Sequence, residues 1–274
     1  MKIDSHQHFW YYKPHRDTWI TDEMRVLKQD YLPDQLLIHL QDHGFDGSVS
    51  VQADQSEDET RFLLSHAEGN SYVKGVVGWT DLGSPALRER LAHFKSFPKL
   101  KGFRHVVQSE KKGFLEDASF REGVRMLAEF GFTYDLLIYH HQLDEALAFV
   151  KALPEVKMVI DHIAKPNFKT GEKVHWELKM ASMAAFPNVC CKLSGMVTEA
   201  SWNDWKKEDF FPYLDELMEG FGASRLMYGS DWPVCLLAGT YDAQLEIVDS
   251  YISRLSGDER KAIMGENTVK FYGL

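Results

Sequence analysis

Short apolar runs rich in β-branched and aromatic residues recur along the chain, separated by longer polar or amphipathic stretches. Eight such runs predict strands: Lys2–His6, Asp46–Gln52, Val73–Trp79, Leu100–His105, Thr133–Ile138, Lys157–His162, Asn188–Leu193 and Arg225–Tyr228. The intervening stretches predict helices over Pro33–His43, Asp58–Ala67, Ser84–Phe94, Ala118–Phe130, Asp144–Leu153, Trp176–Ala185 and Phe210–Phe221. Two of these carry a clear 3.6-residue period. Ala146, Leu147, Phe149, Val150 and Leu153 share one helix face, and so do Phe120, Val124, Leu127 and Ala128. Tyr241–Tyr272 predicts two closing helices, with Asn267 and Thr268 as turn or cap residues.

Strand–helix alternation of this kind requires right-handed crossovers and a parallel sheet. In HGFDGSVSV, FGFTYDLLIY and GFGASRLMYGS a glycine stands between a helix and the next strand, where a left-handed cap is wanted. Eight units in 274 residues fit a closed α/β barrel, (β/α)8, better than an open sheet. No linker or low-complexity tract interrupts the chain, so residues 1–274 are expected to form one barrel domain.

Charge narrows the partners. Lys and Arg number 31 against 41 acidic residues, a formal net charge of −10, and the basic residues form no run. Nucleic acid and anionic membranes are therefore poor partners, whereas a small molecule is not excluded. No apolar run reaches the length of a membrane span, and no signal segment opens the chain. The three cysteines have no disulfide or metal-site spacing, which points to a reducing, cytoplasmic setting.

Active sites of such barrels lie at the C-terminal ends of the strands, and reactive side chains gather there in this sequence. Of twelve histidines, six fall at or just past strand ends: His6, His8, His105, His140, His141 and His162. His6 and His8, at i and i+2 on one strand, face the same way and can aim at one point above the barrel mouth. Neutral imidazoles suit zinc and similar divalent ions. Asp231 ends the last strand, beside the first across the seam. It could ligate an ion there or take the proton of an attacking water.

These residues, with the segments SHQHFW, DHIAKP, CCKLSGMVTEA and YGSDWPVC, resemble the amidohydrolase superfamily, and within it the subgroup that contains sugar lactonases. The resemblance runs from His6 to the region of Asn267. It implies that His6 and His8 flank the reaction centre, that His162 contacts substrate or a bound water, and that Asp231 is the general base. Binuclear members bridge their metals with a Lys or Glu after strand 4. Here that region reads Gly102-Phe103-Arg104-His105, so the expectation is one divalent ion on His6, His8 and Asp231, zinc by preference, or none.

The implied activity is hydrolysis of a sugar lactone, with L-fuconolactone the leading substrate. Arg104 is the cationic candidate for stabilising the oxyanion, making Asp231, His162 and Arg104 the catalytic set. Trp10, Gln52, Trp79, His105, Tyr139, His140, Lys192 and Trp232, with Ser194, are candidates for a polar and aromatic substrate wall. The partners expected are the lactone and, where oligomers form, further copies of the chain. Two other readings compete. One is a hydrolase or decarboxylase of an aromatic-derived acid of the pyrone-lactone type, its carboxylates held by Arg104, His105 and Lys192. The other is a degenerate barrel that only binds, against which the cluster of His6, His8, His162 and Asp231 counts.

Overall fold

A computed structural model describes all 274 residues. Eight parallel strands form a single sheet in the order β1 to β8: Ile3–Gln7, Gly47–Val51, Val73–Gly78, Leu100–His105, Thr133–Leu136, Met158–Ile160, Val189–Leu193 and Leu226–Tyr228. Backbone hydrogen bonds carry the ring across the seam. Asp231 N donates to His6 O at 2.8 Å and His8 N donates to Trp232 O at 2.7 Å, so the sheet closes into a barrel through the segment that follows β8.

Helices α1 (Pro33–Asp42), α2 (Glu57–Gly69), α3 (Leu87–Phe94), α4 (Ala118–Phe130), α5 (Leu143–Lys151) and α6 (Val174–Ala184) follow strands 1 to 6. A short α7 (Met196–Glu199) and the longer α8 (Phe211–Phe221) both follow β7, and α9 (Tyr241–Ile252) follows β8. The predicted apolar faces are the buried ones: Phe120, Val124 and Leu127 in α4, and Ala146, Phe149 and Val150 in α5. Outward-facing strand residues such as Phe103, Tyr134, Ile160 and Tyr228 join them in one continuous core between sheet and helices.

The second closing helix is broken. It runs as α10 (Gly257–Lys261), a wide π-turn over Ala262–Glu266, and α11 (Asn267–Tyr272). The break sits at Gly265, where any Cβ would lie 2.1 Å from Met1 O, so this backbone must pass directly against the start of β1. Asn267 is structural, its Nδ2 donating at 2.7 Å to both Ala223 O and Leu226 O. α11 then packs Phe271 and Tyr272 among the interior side chains Ile3, Val49, Val77, Val159 and Met227. The end of the barrel opposite the strand C-termini is thereby plugged by the last residues of the chain.

Candidate active site

Above this apolar plug the barrel interior turns polar. Asp135 on β5, Asp161 just past β6 and Lys192 on β7 are fully buried, and Arg104 on β4 is nearly so. Unpaired charges at such depth would be prohibitively costly, so they satisfy one another. Lys192 Nζ lies 2.5 Å from Asp135 Oδ2 and 3.0 Å from Asp161 Oδ1. Arg104 Nη1 donates to Asp161 Oδ2 at 3.1 Å, while its other nitrogens donate to Gln52 Oε1 and Gln52 O. Tyr272 OH donates to Asp135 Oδ2 at 2.8 Å from the plugged end.

On this polar layer sit the three histidines and Asp231. His6 and His8 converge as the i, i+2 pattern requires, with Nε2 atoms 3.2 Å apart, although the register of β1 is irregular between Asp4 and Gln7. His8 Nδ1 donates to Val51 O at 2.8 Å, which turns its Nε2 into the site. Asp231 Oδ1 is 3.3 Å from His8 Nε2, 3.8 Å from His6 Nε2 and 3.9 Å from His162 Nε2. Burial alone would push the Asp231 carboxyl up, but His162 and His8 beside it pull it below the ordinary carboxylate range. Burial drives His6 and His162 well below the usual imidazole value, so both are neutral near pH 7.

Two strained segments place these groups. β6 ends at Ile160 rather than His162, because His162, Ile163, Ala164 and Lys165 all have positive φ, between 45° and 58°. A left-handed run of non-glycine residues costs roughly 1–2 kcal/mol per residue. It persists because His162 Nδ1 pairs with Ser194 Oγ at 2.9 Å and Trp176 Nε1 donates to Ile163 O at 2.7 Å. Asp231 is also left-handed, at φ 56°, just before a cis Trp232–Pro233 bond.

The cluster opens into a cleft of about 590 Å³. His8, Arg104, His162 and Asp231 line its floor, while Trp10, Trp19, Met24, Tyr139, Trp202 and Leu237 supply apolar wall. Gln55, Gln108, Ser109, Lys165, Thr198 and Glu199 add polar groups, and Lys165 Nζ pairs with Glu199 Oε1 at 2.9 Å.

Of the residues expected to form the substrate wall, Trp10 and Tyr139 line this cleft and the others do not. Gln52 is buried under Arg104 as its acceptor. Trp79 Nε1 contacts His105 Nδ1 at 3.4 Å, and His105 is itself stacked on Phe114 and paired with Glu110, away from the cleft. His140 Nδ1 holds Lys165 O at 2.9 Å, supporting the left-handed run from behind. Trp232 is buried against Phe9 and Tyr31, and Lys192 lies beneath His6 with no exposure. A strand-end position in sequence does not tell depth, and each of these side chains is one layer too deep or turned outward.

Asp161, Asp135, Lys165 and Glu199 were not anticipated. For Asp135 and Asp161 the available signal was a charged residue inside an apolar strand run, as in Thr133-Tyr134-Asp135-Leu136 and Val159-Ile160-Asp161.

The donor set passes a test for a metal. Ligands sharing one tetrahedral zinc at 2.0–2.1 Å stand about 3.3 Å apart. The His6–His8 and His8–Asp231 separations of 3.2 and 3.3 Å match that value. All three donor atoms lie within 4.8 Å of one another, so His6, His8 and Asp231 suit one divalent ion. Against a second ion, the bridging position holds Arg104, committed to Asp161 and Gln52.

A (β/α)8 barrel with paired histidines at the end of β1 and an aspartate after β8 defines a class of hydrolytic, metal-capable barrels. Residues 3–274 match the amidohydrolase family, and the chain belongs to it. It is 41% identical to an L-fucono-1,5-lactonase of Burkholderia multivorans, over 100% of this chain and 96% of that one. The crystal structure of an amidohydrolase from Burkholderia multivorans with bound Zn matches at a TM-score of 0.97 and 40% identity, covering 100% and 99% of the two chains. A probable 2-pyrone-4,6-dicarboxylic acid hydrolase from Acinetobacter baumannii matches at a TM-score of 0.83 and 16% identity, over 100% and 99%, and shows the shared fold.

Proposed function

We propose that the protein hydrolyses a sugar lactone, with L-fucono-1,5-lactone the leading substrate and Asp231 the general base. The observation that carries the chemistry is an ionised Asp231 on the floor of a half-apolar cleft, its Oδ1 within 4 Å of the Nε2 atoms of His6, His8 and His162. The identity over the whole chain to an L-fucono-1,5-lactonase supports the substrate class.

Hydrolysis of a lactone needs a base for the water proton, stabilisation of the tetrahedral oxyanion and a proton for the departing ring oxygen. Asp231, held below the ordinary carboxylate range, stays ionised and accepts the water proton. His162 is neutral. With the Ser194 hydroxyl donating to its Nδ1, its Nε2–H is free to meet the developing oxyanion. The Arg104 guanidinium, beside His6 Nε2 at 3.4 Å, adds fixed positive charge to the cleft floor. Proton return from Asp231 to the ring oxygen completes the cycle. A divalent ion on His6, His8 and Asp231 would polarise the carbonyl and lower the pKa of the attacking water.

The walls suit a neutral, hydroxylated ring with an apolar edge: Trp10, Trp202 and Leu237 offer flat apolar surface, and Gln108, Ser109 and Thr198 offer donors and acceptors. A pyrone dicarboxylate would need free cations, and here Arg104 is committed, Lys192 is sealed off and His105 lies outside the cleft. A reducing, cytoplasmic setting belongs to the same reading; its support is that Cys190, Cys191 and Cys235 are all free thiols. No helix is long and apolar enough to cross a membrane.

A pH-indicator assay over aldono-1,4- and 1,5-lactones and 2-pyrone-4,6-dicarboxylate tests the substrate class. The expected result is kcat/KM highest on a six-carbon or 6-deoxy aldonolactone, by about tenfold or more over the pyrone. Faster turnover of the pyrone would overturn the reading.

A further inference from the structure

We propose that the Lys165–Glu199 ion pair is a diol clamp, which holds two adjacent hydroxyls of the substrate ring and decides which sugar the cleft accepts. The proposal rests on the sugar-lactone reading and names the part of the site that reads the sugar.

Both side chains line the cleft, with Lys165 Nζ 2.9 Å from Glu199 Oε1. They remain 13% and 22% exposed, so the pair is open on its cleft side rather than sealed. An ammonium carries three donors, and Glu199 Oε1 takes one of them. The Tyr139 ring lies 5.2 Å from Nζ and covers a second side. At least one donor of Lys165 and the other oxygen of Glu199 are left for a ligand. A sugar hydroxyl both donates and accepts, and adjacent gauche hydroxyls stand about one hydrogen-bond length apart, roughly 2.8 Å. That spacing matches the separation of Nζ and Oε1. One hydroxyl accepts from Lys165 while its neighbour donates to Glu199, and both bonds are charge-assisted. The pair is neutral as a unit, so it suits a neutral polyol, and Glu199 repels an anionic ring.

The placement of the two charges points the same way. Lys165 ends the left-handed run that starts at His162; its N donates to His162 O at 2.8 Å, and its carbonyl accepts from His140 Nδ1 at 2.9 Å. Glu199 ends α7, which starts after Gly195, where an added Cβ would stand 2.4 Å from His162 Nδ1. Trp202 Nε1 donates to Thr198 O at 2.9 Å, which keeps an aromatic face on the same wall. Both halves of the clamp are thus built outward from His162. Hydroxyls seated in it fix how far the lactone carbonyl lies from His162 and Asp231. A partly exposed ion pair adds little stability, so stability does not account for a strained segment that turns Lys165 into the cleft.

The test compares L-fucono-1,5-lactone with δ-valerolactone, an ester ring without hydroxyls. Lys165→Met and Glu199→Gln each remove one charge, and Met keeps the unbranched chain, so the backbone cost at φ 45° is unchanged. The ratio of kcat/KM on the sugar lactone to that on δ-valerolactone is expected to fall about tenfold or more in each variant, chiefly through KM. Lys165→Arg should retain more of the ratio than Lys165→Met. An unchanged ratio, with both substrates slowed alike, would overturn the clamp and leave the pair as a tie between two loops. Binding alone separates the clamp from the lactonase reading, because 1,5-anhydro-L-fucitol has the ring hydroxyls and no ester. Its calorimetric Kd is expected to rise about tenfold or more in Glu199→Gln. Equal affinity of the two proteins, or no binding to the wild type, would contradict the clamp. Binding that depends on Glu199 without turnover of any lactone would support the clamp and sink the lactonase reading alone.

Discussion

Single residues carry charge into places where water does not follow, and each must be compensated. Glu59 shows this outside the cleft. It is buried in α2, accepts from Ala53 N at 3.1 Å and has Arg16 no nearer than 4.0 Å. Burial pushes its carboxyl from 4.5 up to about 7. The folded protein therefore binds more protons at this site than the unfolded chain between those values. Its contribution to stability is fully present below pH 4.5 and is lost as pH rises through about 7. Glu59→Gln removes that penalty while keeping an acceptor for Ala53 N. Thermal melts should show the variant more stable than the wild type at pH 8, by as much as about 3 kcal/mol, with the gap closing toward pH 5. A constant difference across that range would show that Glu59 is not the titrating group. Depth also governed what the sequence could disclose. His6, His8, His162 and Asp231 could be placed together because spacing and strand-end position suffice, whereas Lys192, Gln52 and Trp232 needed the third dimension to be seen as lying beneath or behind the cleft.

At the scale of elements, all eight strands and the helices that follow the first six were legible from apolar runs and 3.6-residue periods. What periodicity could not reveal were the departures from it. The left-handed run at His162–Lys165 is imposed by tertiary partners, and α7 is too short to carry a period. These two irregular elements meet at Gly195, the residue before α7, at φ 61°. A Cβ there would stand 2.4 Å from His162 Nδ1 and 2.7 Å from its Cγ. Gly195→Ala should therefore displace the His162 ring and lower kcat/KM by about a hundredfold. Gly44→Ala is the control: its φ of 64° carries the same backbone strain, but nothing lies within 4 Å of the added methyl. Similar losses of Tm in both variants, with activity lost only in Gly195→Ala, are expected. Equal activities would show that Gly195 does not position His162.

Across the whole molecule, the barrel works as a stack of layers. The last residues of the chain plug one end with Phe271 and Tyr272, buried ion pairs fill the middle, and the histidines with Asp231 face the cleft at the other. The sequence disclosed the top layer through its motifs and the barrel through its alternation. It concealed the pairing within the middle layer, because Asp135 and Asp161 lie in or just past strands that otherwise read as apolar, and it concealed the plug because the π-turn at Ala262–Glu266 breaks what reads as one helix. The layers converge on Asp231, whose backbone bonds to His6 across the seam and whose carboxylate faces the three imidazoles. Asn tolerates the left-handed backbone at that position nearly as well as Asp, so Asp231→Asn removes the base with little disturbance of the chain. The most direct measurement is the steady-state hydrolysis of L-fucono-1,5-lactone by the wild type and by Asp231→Asn, corrected for spontaneous opening. The account predicts a fall in kcat of about 10²- to 10⁴-fold in a variant of unchanged fold. Turnover by Asp231→Asn within about threefold of the wild type would contradict it.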